Sequence, residues 1–247
     1  MGKKEFISAD RFYNAFVTEW ETSVASGIFG IGHNPYQNLP AWTDLMLSPG
    51  QFLQRVMDRL SSLELPLLYR NQWYTVDALY VSGENLFPKK GEYPSSLQVL
   101  IEHEHGEDLE EEMWKLIHWR APLKVIIGYD WSEIEKTTDA RRSWAANKVT
   151  KLLKMLQTVN DSFLENPDTE YLFLMGRRFE AEPLSWTAFA VKSPSEGTPV
   201  VNTWGRSGIN FTASTSHRPS PPTSITQGIE APTILTRGEA APPHEFQ

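Results

Sequence analysis

Seven acidic residues stand within eleven positions, 102 to 112, directly after the apolar run Leu97-Gln98-Val99-Leu100-Ile101. A strand that ends in carboxylates carries hard oxygen ligands to the rim of a folded core, the ligand type that Mg²⁺ or Mn²⁺ favours. Glu102 and Glu104 alternate with His103 and His105, so on an extended chain both glutamates point to one face. Asp77 closes a second β-like run, Trp73-Tyr74-Thr75-Val76, twenty-five residues earlier. Two strands that each deliver acid to a shared edge would grip one cation together. Without a cation, clustered carboxylates repel one another and at least one pKa rises. A cation held by such a site neutralises negative oxygens on a bound group and activates water for hydrolysis.

Composition leaves that chemistry open. The formal charge of −8 falls to about −1 once the seven acids of 102–112 are removed, so the acidity is local. That leaves room for basic surface elsewhere, and the global charge does not settle the partner. The chain has no Cys, which excludes disulfides, thiolate zinc sites and cysteine nucleophiles. Its first residues lack the apolar stretch of a signal peptide, and no segment approaches a membrane span. A cytoplasmic protein with no membrane partner is the expectation.

The elements that must position the acids follow from periodicity. Ser8 caps a helix whose apolar positions are Phe12, Phe16, Val17 and Trp20. Residues 27–49, rich in Gly, Pro and Asn, read as a loop, and a short helix fits 50–63. A hairpin is expected next, with strands at 65–69 and 73–81 around a turn at Arg70-Asn71-Gln72. A third strand spans 96–104 and a helix 108–119, with acids in its first turns as the helix dipole prefers. The unbroken apolar run 123–129 reads as a buried central strand. A long helix over about 138–164 and strands at 171–175 and 186–191 complete a single α/β domain, 1–193. Residues 194–247 turn to Pro, Ser, Thr and Gly and read as a disordered tail, with a few docked residues near 200–204. The segment Arg218-Pro219-Ser220-Pro221-Pro222 in that tail is a candidate contact for a protein partner.

The order of helix, three strands, helix and strand, with Asp77 on the second strand and Glu102 within Val-Leu-Ile-Glu-His-Glu on the third, resembles the PD-(D/E)xK nuclease superfamily. The resemblance covers roughly 49–130. It implies a restriction-endonuclease-like αβββαβ core, a mixed sheet flanked by helices. It also implies a Mg²⁺- or Mn²⁺-dependent endonuclease acting on DNA, with Asp77 and Glu102 as metal ligands. Where the family carries a lysine two residues after the second acid, this chain has Glu104. Some members place a substitute on the following helix, which makes Lys115 the migrated cation and Glu104 a further ligand or the group that positions water.

Other readings of the same residues stand beside this one. A nuclease-like fold without catalysis, serving as a binding or regulatory module, is the main alternative, and a small-molecule hydrolase is a third. Glu110, Glu111 and Glu112 read as a solvated first helical turn, with Lys115 as the i,i+4 partner of Glu111. His103, His105 and His118 suggest a transition-metal site only if a third ligand joins the first two. Lys89, Lys90, Arg120, Lys124, Arg141 and Arg142 are scattered cations, and Trp114, Trp119 and Trp144 read as core or as base-stacking surfaces.

Overall fold

Helix α1, Ala9–Ala25, begins where Ser8 takes an extended conformation and its side chain accepts from the Arg11 amide at 3.2 Å. A second free amide of that first turn, on Ala9, is satisfied by the Glu170 carboxylate at 2.6 Å. Phe12, Phe16 and Trp20 recur at helical spacing and are buried. Glu19 on the same helix is buried but bonded at 2.7 Å to both Arg55 and Arg59. These pairs lock α1 to helix α3, Phe52–Leu60.

Residues 27–49 do not form a plain loop. Leu39–Leu47 is helix α2, capped by the Asn38 side chain, with proline in its first turn where a missing N–H costs nothing. Its Trp42, Met46 and Leu47 are buried, and that burial outweighs the loop-like composition.

The computed structural model describes residues 6–29, 38–82, 96–105, 108–129, 138–160, 168–177, 184–192 and 200–205, with the side chains of 138–146, 159, 160 and 200–205 outside that description. The remaining elements are β1 (Leu67–Trp73), β2 (Val76–Ser82), β3 (Leu97–His103), α4 (Leu109–His118), β4 (Leu123–Tyr129), α5 (Thr138–Asn160), β5 (Glu170–Arg177), β6 (Ser185–Lys192) and β7 (Val200–Gly205). Among the described residues they form one mixed seven-stranded sheet in the order β1 to β7. Strands β1 to β3 are an antiparallel meander, β3 to β5 run parallel, and β5 to β7 are antiparallel again. Each parallel step needs a crossover, supplied by α4 and then α5.

Side chains alternate between two cores. Ala78, Tyr80, Val99 and Ile101 pack with α1, α2 and α3, whereas Leu79, Val81 and Leu100 pack with Leu109, Met113 and Leu116 of α4 and Val149, Leu152 and Leu156 of α5. The chain is therefore α/β, a mixed sheet flanked by helices. Strand β7 pairs with β6 at the expected docked positions, so the sheet continues past the composition change at Ser193. Residues 206–247, including the Pro-rich 218–222, lie outside the described residues, as do Lys89, Lys90 and the side chains of Arg141, Arg142 and Trp144.

Two further expectations need correction. The hairpin turns at Tyr74 and Thr75, with Trp73 paired to Val76, and Arg70, Asn71 and Gln72 belong to β1. These polar residues sit on an edge strand with one open face, and they resemble a turn only in composition. Lys124, read as a surface cation, is buried in β4, where its ammonium donates to the Tyr171 hydroxyl at 3.0 Å.

Candidate functional site

Asp77 is the second residue of β2, not the last of a run, and this is why it meets Glu102 near the end of β3. In the antiparallel register Ala78 pairs with Ile101, so the next step outward sets residue 77 beside residue 102. An acid at the far end of β2 would have faced the beginning of β3. Leu79 and Leu100, each two residues inward, face α4, so both acids share that face. The Asp77 amide donates to Glu102 Oε2 at 3.3 Å, and the His103 amide donates to Asp77 Oδ2 at 2.9 Å.

Helix α4 covers the pair. Leu109, Met113 and Leu116 are buried against the sheet, which carries Glu112 down beside them and leaves it 8% exposed. Lys115, one turn on, donates to both Glu112 oxygens at 2.7 and 2.6 Å. The sequence predicts Glu112 in a solvated turn and Lys115 as the partner of Glu111. The structure instead pairs Lys115 with a buried Glu112 and leaves Glu111 exposed. The dipole argument holds for the helix as a whole but does not say which acid turns inward.

The electrostatics report one connected cluster. Burial, followed by the charges of Asp77 and Glu112, pushes Glu102 up to about 9 against the opposing pull of Lys115. Asp77 is raised, first by burial and then by Glu112, with the His103 amide and Lys115 acting the other way. Burial depresses Lys115, but its bonds to Glu112 and the charges of Glu112, Glu102 and Asp77 outweigh it and raise the ammonium above its usual range. Lys115 thus feels all three carboxyls. Glu104 lies one residue beyond β3, half-buried, with its amide bonded to the Ile127 carbonyl at 2.9 Å.

The histidines do not join this cluster. His103 faces the other core, where its Nε2 meets the Tyr129 hydroxyl at 2.7 Å, while His105 stacks on the Tyr129 ring. Burial holds His103 well below its usual pKa and His105 at about 4. His118 stands on α4, bonded to the Trp114 carbonyl, so it is no third ligand. The Trp42 indole also donates to the Tyr129 hydroxyl at 2.7 Å, and an indole can only donate. The hydroxyl therefore accepts from Trp42 and shares its other bond with the His103 ring, whose tautomer sets the direction. Tyr129→Phe should orphan both groups and lower stability by about 1–3 kcal/mol, read from the denaturant midpoint.

Among the described residues, no three His, Asp or Glu side chains form a group that could hold a metal ion. A two-carboxylate donor set is nonetheless present. Glu102 Oε1 is buried without a hydrogen-bond partner, and burial with two neighbouring acids keeps the carboxyl protonated when no cation is there. Hard oxygen donors with one lone pair unused suit a divalent cation that keeps several waters. No helix among the described residues is long and apolar enough to cross a membrane. Comparison of the chain with protein-family models and with curated proteins gave no match.

Proposed function

We propose that the protein is a Mg²⁺- or Mn²⁺-dependent nuclease of the PD-(D/E)xK type that hydrolyses phosphodiester bonds in DNA. The observation that carries this reading is the meeting of Asp77 and Glu102 on one face of the sheet, under a lysine from the next helix. The order α3-β1-β2-β3-α4-β4, an antiparallel meander followed by a parallel crossover strand, agrees with a restriction-endonuclease-like core.

Asp77 and Glu102 would hold the cation, with Glu104, further along the chain, as the group that positions water. When bound, the cation supplies charge neutralisation at the phosphoryl oxygens and a lowered pKa for water. The chain's own residues do the rest. Lys115, charged at neutral pH, donates toward the scissile phosphate and stabilises the charge that develops as water oxygen bonds phosphorus and the P–O bond to the leaving sugar breaks. Glu112 fixes the lysine over the pair. A cytoplasmic setting goes with this chemistry, since DNA and free Mg²⁺ meet there.

The test is incubation of the purified chain with plasmid and single-stranded DNA in Mg²⁺ or Mn²⁺. Cleavage should fall to background in Asp77→Ala, and equal cleavage by both proteins would sink the assignment.

One observation favours a second reading, a nuclease-like module without catalysis. Lys115 is already neutralised by two short bonds to Glu112. Calorimetric titration with Mn²⁺ separates the two. Binding that Glu102→Ala abolishes supports the enzyme, and no binding at millimolar metal supports the module.

A further inference from the structure

The turn between β1 and β2 carries aromatic rings where a turn alone would favour Gly or Asn. Tyr74 has φ 55°, a left-handed conformation that costs a bulky side chain, and yet its ring is 63% exposed. It packs edge-on against Trp73 at 4.4 Å between ring centres, and Trp119, just past α4, lies 5.7 Å from Trp73 and 6.3 Å from Tyr74. The three rings meet at different tilts, so the group offers separate faces and not one flat patch. Cations flank it on the same side of the sheet. Arg70 is exposed and pairs with Leu79, whose side chain faces α4, and Arg120, also exposed, follows Trp119 directly.

Position says what these rings are for. Tyr74 is three residues from Asp77, so their Cα atoms are at most about 11 Å apart. A stacked strand advances about 3.4 Å per nucleotide, so the Tyr74 backbone lies within about three nucleotides of a phosphate held at the carboxylate pair. Aromatic faces beside guanidinium groups bind unstacked bases with little regard to sequence. A duplex, with its bases stacked inside, offers them nothing.

We propose that Trp73, Tyr74 and Trp119 form a stacking platform for unpaired bases, which makes a single-stranded DNA segment next to the cleaved bond the preferred substrate. This deepens the nuclease reading and rests on it for the identity of the nearby site.

The test measures fluorescence anisotropy of labelled single-stranded and duplex oligonucleotides of one sequence with the full chain, in chelator so that no cleavage occurs. The single strand should bind more tightly. Tyr74→Gly removes the ring and relieves the left-handed backbone, so the fold is spared, and it should weaken single-strand binding about tenfold while leaving the duplex unchanged. Tyr74→Phe should bind as wild type. Equal affinity for the two DNA forms, or single-strand binding that Tyr74→Gly does not change, overturns the platform. Tyr74-dependent binding without cleavage in Mn²⁺ would sink the nuclease reading alone. Cleavage with binding indifferent to Tyr74 would sink the platform alone.

Discussion

Glu102→Gln will raise the thermal midpoint of the metal-free protein at pH 8 and at the same time remove cleavage. A carboxyl whose folded-state pKa is raised destabilises the fold as pH increases. Below the ordinary value of 4.5, folded and unfolded chains both hold the proton. Between 4.5 and about 9 the unfolded chain releases it and the folded chain keeps it, so stability falls throughout that window. One pKa unit corresponds to about 1.4 kcal/mol. Coupling to Asp77 spreads the effect over two groups, so the expected gain from an uncharged amide at pH 8 is on the order of 2–3 kcal/mol, or about 5–10 °C for a domain of this size. The measurement belongs at pH 7–9. At lower pH, His103 and His105, whose folded-state values are depressed, withdraw stability as pH drops through their ordinary value of 6.5 and mask the carboxyl. Mn²⁺ should raise the wild-type midpoint more at pH 8 than at pH 6 and should leave Glu102→Gln unchanged. A wild-type midpoint flat from pH 7 to 9 and indifferent to Mn²⁺ would mean that no buried acid pair waits for a cation.

The residues gave up the site more readily than its setting. Glu102 is legible because four of the five residues before it are apolar, and β3, α4 and β4 fall within a residue of their expected bounds for the same reason: burial imposes strong periodicity. Asp77 is legible only in part. Its sequence reads as a run that ends in acid, whereas the antiparallel register needs the acid near the start of β2. The turn lies beyond its expected place because its left-handed position is occupied by Tyr74, without the Gly or Asn that usually marks it. Glu112 carried no signal of its own. Three consecutive glutamates in a first turn satisfy the helix dipole equally well, and only the packing of Met113 and Leu116 on the sheet decides which one is buried. Local composition reads the elements, and tertiary packing selects the fourth member of the cluster.

That fourth member sets the last test, because Lys115 has two jobs that substitution can separate. Lys115→Met keeps length and apolar stem but removes the charge, and cleavage should fall about 10²–10³-fold with the loss of one donor to the developing charge. Stability should also fall, since Glu112 is then left buried beside two other acids. The lysine side chain is 30% exposed, so solvent screening limits that loss to about 1 kcal/mol. Adding Glu112→Gln removes the stranded carboxylate. The double variant should therefore recover the midpoint of the wild type in a thermal melt while its cleavage stays at the level of Lys115→Met. If cleavage returns with stability, the ammonium serves only to neutralise Glu112, and the transition-state charge is met by another group. If Glu112→Gln alone cleaves faster than wild type, the ion pair restrains the lysine, and the chain holds its catalytic cation partly in reserve.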